Sequence, residues 1–244
     1  MLTETAIEYL ETVYNVTVEG DSVVNARLAE KFGVSPPSVT EMIHRLERDG
    51  YVTFDRAVGL QLTAEGIAVA ENSLRRHRLA ERFLQQVLGM DWIQAHEEAQ
   101  SLQKALTPAI EAHIVQLLRN PTTCPHGNPI PGTGPSPQDY LRSHDAVRLS
   151  AAPFGAPVRV LCVSEVVEDE SALLRMVGEY GLRPGADLAR RELDGDGESL
   201  VRLEVDSRWV DLARAVAEKI WVYQPDSNSK NLARPEAVGA DGGI

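Results

Sequence analysis

Cys124 and His126 stand two positions apart in the segment PTTCPHGNPIPG, in a chain with two cysteines and six histidines. A thiolate and an imidazole in one loop are half of a transition-metal site. Earlier, RRHRLAERFL carries His77 and Glu81 four residues apart. On a helix that spacing puts imidazole and carboxylate on one face, where both can meet one ion. HEEAQ adds His96 at the start of the next helical stretch. Each feature alone has a plain explanation, a solvated pair or a turn; their co-occurrence in compact chain points to a metal. Carboxylate and imidazoles suit Mn²⁺ or Fe²⁺, and the thiolate shifts preference toward Zn²⁺, Co²⁺ or Fe²⁺. A second chemistry for the thiols is a redox switch between Cys124 and Cys162. A metalloenzyme is a third reading. It lacks support, because no HExxH, phosphate loop or nucleophile motif is present. The expectation is therefore a non-enzyme without a small organic substrate.

These residues need elements to position them. Eight of the fourteen prolines fall between Pro121 and Pro157, so that stretch is an irregular loop or linker. Before it the patterns are helical. Ala6, Ile7, Leu10, Val13 and Tyr14 mark a stripe on a first helix. Ala64 to Leu88 reads as one long helix stopped by Gly89, with Asp91 capping the next and Thr107-Pro108 opening another. After it, VRVLCV reads as a strand and SALLRMVGEYG as a short helix ending at Gly181. RPGADLARREL and ESLVRLEV form a hairpin around DGDG, DLARAVAEK is a short helix, and IWVY is a strand. Trp92, Trp209 and Trp221 read as core or interface fillers. The tail after Pro225 reads as disordered. No apolar run reaches the length of a membrane span, and two cysteines are too few for a disulfide framework, so a reducing cytoplasm is expected. The net charge of −12 argues against nucleic-acid binding by bulk charge, but not against a small reading head on an acidic body.

Such a head is legible from Val24 to Gly66. Asn25 can cap a helix carrying Leu28, Ala29 and Phe32, and Gly33 ends it in a tight turn. Ser35 caps a second helix with Pro36 and Pro37 in its first turn, where a missing N–H costs nothing. Val39, Ile43 and Leu46 face inward, leaving Pro37, Ser38, Glu41, Arg45 and Arg48 outward. YVTF and LQLT make a wing around the Arg56 tip. This is a winged helix-turn-helix. Its reading helix would bring Ser35, Pro37, Ser38, Thr40, Glu41 and Arg45 to the major groove, while Arg27, Arg48 and Arg56 clamp phosphates. A winged helix used for protein contacts is the alternative, and five basic against five acidic residues from Ser22 to Leu60 do not decide.

SPPSVTEMIHRLERDGYV, RHRLAERFL, HEEA, CPHGNPIP and EVVEDESALLRMVGEYGLRPG together resemble the metal-dependent repressors of the diphtheria toxin repressor type, over roughly Glu4 to Tyr223. The resemblance implies a mainly α fold with small β parts. Residues 1–63 would be the winged DNA-binding domain and 64–142 a helical dimerisation and metal-binding domain. A linker at 143–156, an SH3-like β-barrel at 157–224 and a tail at 225–244 would follow. It implies a homodimer on a palindromic operator and a Mn²⁺ or Fe²⁺ cofactor. Of the family's two metal sites, the secondary one maps onto His77, Glu81 and His96, and onto Cys124 and His126 as used in manganese-type members. A carboxylate from the C-terminal domain usually joins them, with Glu165, Glu168, Asp169 and Glu170 as candidates.

The family's primary site departs. Glu8 matches a ligand on helix one, with Glu11 one turn on, but the E-x-x-E-H pattern reads Gln100-Ser-Leu-Gln103-Lys104. Amide oxygens are weaker ligands than carboxylates, and a protonated lysine has no lone pair to give. Lys104 is then expected either to fill the place of the missing cation beside Glu8 or to stand in solvent.

Overall fold

In the computed structural model, residues 2–55, 59–167, 169–191 and 199–225 are described. The reader opens with α1 (Glu4–Val18), capped by the Thr3 hydroxyl. Then come α2 (Asn25–Phe32) and α3 (Pro36–Arg48), joined at Gly33 in the left-handed region, which glycine enters without strain. The wing is β1 (Val52–Asp55) paired antiparallel with β2 (Gly59–Leu62). Val39, Ile43 and Leu46 are buried as the spacing requires, against Leu10, Val13, Leu28 and Val52.

The long helix α4 (Ala64–Gln86) belongs to two cores. Ala70 and Leu74 close the reader core. Leu79, Ala80 and Leu84 enter a second core with Ala95 and Ala99 of α5 (Trp92–Gln103), Ile114 of α6 (Pro108–Leu117) and Ile130. Residues 75–78 of α4 therefore lie at the seam between these two cores.

The chain then passes through the proline-rich loop and α7 (Pro137–Ser143), which the apolar pattern did not announce. The C-terminal part holds a six-stranded sheet, all antiparallel, in the order β3-β8-β4-β5-β6-β7. Its strands are β3 (Val147–Arg148), β4 (Pro157–Val163), β5 (Asp187–Arg191), β6 (Leu200–Val205), β7 (Arg208–Ala213) and β8 (Ile220–Tyr223), with α8 (Glu170–Glu179) and the short α9 (Arg214–Ala217). The β5 and β6 hairpin arms are as expected, and the DGDG turn lies outside the described residues. Two differences have physical reasons. The stretch expected as a linker, 143–156, supplies β3, and its Leu149 is wholly buried in the C-terminal core, so it is woven into the sheet. DLARAVAEK begins as the end of β7 and is helical only from Arg214, because pairing of Asp211 and Leu212 with β6 overrides helix propensity. Trp92 enters the C-terminal core and donates from Nε1 to the Leu174 carbonyl at 3.0 Å, whereas Trp209 is an exposed residue of β7.

Candidate metal centre and reading face

The arginines of LRRHRLAERF settle how the loop reaches the helix. Arg75, Arg78 and Arg82 recur at spacings of three and four on one face of α4. Arg75 Nη1 donates to the Pro131 carbonyl and Arg78 Nη1 to the Pro129 carbonyl, both at 2.6 Å. Arg82 Nη2 reaches the Thr123 hydroxyl at 3.4 Å. A proline-rich segment has few N–H groups with which to pair its own carbonyls, so helix arginines take them. The loop's far side is stitched to β4: Val163 N–H donates to the His126 carbonyl (3.0 Å), and Asn128 Nδ2 to the Val163 carbonyl (2.9 Å). Gly127 sits at φ +88°, and a Cβ there would lie 2.1 Å from the Leu161 carbonyl oxygen, so only glycine permits this approach.

Held this way, the loop faces the seam of α4. His77 Nε2, His96 Nδ1 and His126 Nδ1 lie 3.1, 3.0 and 3.1 Å from Glu81 Oε1. Cys124 Sγ is 4.0 Å from His126 Nδ1. Two donor triads result, His77/Glu81/His96 and Glu81/Cys124/His126, each with its ligand atoms within 4.8 Å of one another. Glu81 Oε2 and His126 Nε2 are buried without a hydrogen-bond partner among the described residues. A buried carboxylate oxygen with a free lone pair among imidazoles and a thiol is a donor set that fits a divalent ion.

The electrostatics agree. Burial alone would push the Glu81 carboxyl up, but His126 and His77 hold it well below the usual range, so it is a carboxylate. Burial works against a charged His77, yet the Glu81 carboxylate raises it to about 9; His96 moves up for the same reason. Burial, then Glu81, pushes the Cys124 thiol well up. Ion binding here must therefore displace protons from imidazole and thiol. Cys162, also a free thiol, is pushed up by burial, which makes it a poor nucleophile for a redox pair.

The C-terminal carboxylates divide. Glu165 is committed to Arg78, accepting from Nε at 3.0 Å and Nη2 at 2.7 Å, and it also accepts from Asn15 Nδ2 at 3.0 Å. Asp169 is exposed and caps α8 by accepting from the Ala172 N–H. Glu170 lines the cavity beside His77 and His96, and burial raises its carboxyl. None of these three joins either triad; Glu168 lies outside the described residues. The sequence offered no signal for the Arg78–Glu165 pair, since one arginine in a run of basic residues does not reveal its partner.

The residues expected at the departed primary site also lie together. Glu4, Glu8, Glu11, Gln100, Gln103 and Lys104 line the same cavity of about 780 Å³ as His77, His96 and Glu170. Of the two expectations for Lys104, a pair with Glu8 or a place in solvent, the first is not met and the side chain is exposed. It closes α5 and forms an exposed ion pair with Glu4, one helical turn earlier on α1. Ser73 hydrogen-bonds Glu11, but burial dominates and raises its carboxyl.

On the reader, Pro37, Ser38, Glu41 and Arg48 are exposed as expected, and Arg45 is half-exposed. The hydroxyls are engaged within the protein. Ser35 and Ser38 bond each other at 2.9 Å, and Thr40 donates to the Pro36 carbonyl. Asn25 does not cap α2, whose N-cap is Val24; its amide donates to Thr40 Oγ1 at 3.1 Å and joins the two helices. Arg27 pairs with Asp21 at 2.8 Å, while among the described residues the ion pairs of Arg45 and Arg48 are long contacts to Asp49. Arg56 lies outside the described residues.

A winged reader continued into a helix that carries a buried, ligand-rich junction defines a metal-responsive DNA-binding regulator. The comparisons agree. A family model described as the iron dependent repressor N-terminal DNA binding domain matches residues 1–60, and one described as the iron dependent repressor metal binding and dimerisation domain matches 63–132. The iron-dependent repressor IdeR of Mycobacterium tuberculosis is 36% identical over 205 residues, 82% of this chain and 89% of that protein. The diphtheria toxin repressor of Corynebacterium diphtheriae is 31% identical over 197 residues, 80% and 87% of the two chains. The manganese-activated repressor ScaR with bound Cd²⁺ superposes with a TM-score of 0.76 at 30% identity, covering 90% of this chain and 99% of that one. The chain belongs to the iron-dependent repressor family of metal-dependent DNA-binding repressors. The expected cofactor class, a divalent metal with iron and manganese foremost, agrees with these relatives. Among the described residues no helix is long and apolar enough to cross a membrane.

Proposed function

We propose that this chain represses metal-homeostasis genes as a homodimer on a palindromic operator, and that its effector ion acts through His77, Glu81, His96, Cys124 and His126 while the primary site is altered. One observation carries the reading: the two sets of candidate ligands, far apart in sequence, converge on the single carboxylate Glu81 at the reader–dimerisation seam. An ion there supplies a point of electrostatic attachment between α4, α5 and the loop. The chain's own residues do the rest. The seam lies one turn beyond Leu74, the last residue of α4 in the reader core, so fixing it fixes the pose of α3. A second α3 in the partner subunit, about one DNA turn away, would read the other half-site. Val87 and Leu88, just after α4, and Ile110 and Leu117 of α6 are exposed apolar side chains suited to that pairing. Ser35, Pro37, Ser38, Glu41 and Arg45 would meet bases or adjacent phosphates, with Arg27 and Arg48 on the backbone.

A second reading is favoured by the Lys104–Glu4 pair, which ties the end of α5 to the start of α1 without an ion. In that reading operator binding is metal-independent and the remaining centre is structural. Gel shifts on operator DNA with Lys104→Ala beside the parent, with and without chelator, separate the two. Metal sensing expects loss of binding on chelation in both proteins. A built-in cation expects loss with Lys104→Ala and none with chelator.

A further inference from the structure

Resting on the reading of Arg27 as a phosphate clamp, we infer that Arg148 of the C-terminal sheet is a positioning residue for operator binding: it shares the Asp21 carboxylate and so lets Arg27 leave for a DNA phosphate. The argument begins at the end of α1. Its last turn carries no basic residue and Glu19 closes it, so an acid meets the negative end of the helix dipole. Asp21 follows two residues on, and Arg27 Nη1 of α2 donates to its Oδ2 at 2.8 Å. The missing cation arrives from the stretch expected as a linker. Arg148 Nη2 donates to Glu19 Oε2 at 2.8 Å and reaches the same Asp21 Oδ2 at 3.5 Å. Strand β3 places it there by pairing Arg148 with Trp221 of β8, and the Trp221 ring centroid lies 4.0 Å from the guanidinium carbon.

Two guanidinium groups thus converge on one carboxylate oxygen, and they differ in freedom. The Arg27 and Asp21 side chains are 35% and 36% exposed, whereas those of Arg148 and Glu19 are 18% and 9% exposed. Arg148 is the fixed partner and Arg27 the one that can move. A phosphate that takes Arg27 would leave Asp21 unpaired beside DNA, where like charges repel. Arg148 prevents this. Its Nη1 is buried without a hydrogen-bond partner among the described residues, so it has a donor for the carboxylate that Arg27 vacates. The sheet therefore acts on the reading face through one acid, without touching DNA.

The test is a double-mutant cycle on the Mn²⁺-loaded full chain, read by fluorescence anisotropy on a duplex selected by that protein from a random library. Arg148→Met should weaken binding about threefold, and Asp21→Asn should tighten it by a similar factor. The Arg148→Met/Asp21→Asn variant should bind like Asp21→Asn alone, because no carboxylate is left to share. A neutral Arg148→Met overturns the inference. So does a weakening as large in the Asp21→Asn background as in wild type, which is what lost bulk charge or a loosened sheet would give. Asp21→Asn keeps the buried Glu19–Arg148 pair, so it carries the test should Arg148→Met not fold; unchanged or weaker binding by Asp21→Asn overturns the inference as well. Arg27→Ala checks the reading beneath it. It should weaken binding and make the salt dependence shallower by about one phosphate contact. That effect beside a neutral Arg148→Met leaves the phosphate clamp standing and removes only the part assigned to Arg148. No selected duplex, or Arg27→Ala with unchanged affinity and salt dependence, removes the clamp and the inference together.

Discussion

Arg78 is a charged side chain with 2% of its surface exposed, and its partners come from three parts of the chain: Asn15 of α1, the Pro129 carbonyl and Glu165. Removing one member of such a buried set leaves the others desolvated and unpaired. Arg78→Met should cost about 3–5 kcal/mol in urea unfolding, and Arg78→Met/Glu165→Met should recover much of it. An unchanged midpoint for the single variant would show that water already reaches the pair. The same contact sets an acid limit. Burial would raise Glu165, but Arg78 holds it below its ordinary value. A carboxyl depressed in the folded state adds stability that is present above its unfolded value, about 4.5, and disappears as pH falls through the folded value. Metal-free protein should therefore lose unfolding free energy below about pH 4.5, and Glu165→Gln should flatten that part of the profile. At this scale the candidate ligands His77, Glu81, His96, Cys124 and His126, which the structure brings together, were legible because ligand chemistry is written in residue type. Arg78, Glu165 and the true partner of Lys104 were not, because an ion pair depends on which surfaces meet in three dimensions.

The proline-rich loop is the element on which the centre depends. Nothing in its own sequence carries a period, so its path follows from what grips it: the arginine face of α4 on one side and β4 on the other. Gly127→Ala forces a Cβ onto the Leu161 carbonyl at a left-handed φ. It should push the loop off β4, carrying Cys124 and His126 away from Glu81. Elemental analysis should then show less bound metal than in the parent; metal retained at the parent level would mean that the loop bends without moving its donors. The helix-turn-helix was legible, apart from the Asn25 cap, because the Ser35 cap, the Gly33 turn and the inward triplet Val39, Ile43, Leu46 are local signals. β3, β7 and α7 were missed for the opposite reason. Their short, mixed sequences gain order from the strands and loops they pack against, as when Leu149 sinks into a core supplied by distant residues.

Over the whole molecule, α4 links every part. Its first half is reader core, its second half dimerisation core, and the candidate centre lies between them, with the C-terminal sheet attached through Trp92 and the loop. An ion at that seam changes operator affinity only by its differential affinity for the two poses of the reader, and about 1.4 kcal/mol of difference gives tenfold. The decisive measurement is the dissociation constant for operator DNA, by fluorescence anisotropy at fixed salt, of the metal-stripped protein against the same protein reloaded with Mn²⁺ or Fe²⁺. The account expects the loaded protein to bind at least about tenfold tighter, and expects Glu81→Gln to bind as weakly loaded as stripped. Equal dissociation constants for stripped and loaded wild-type protein would contradict it.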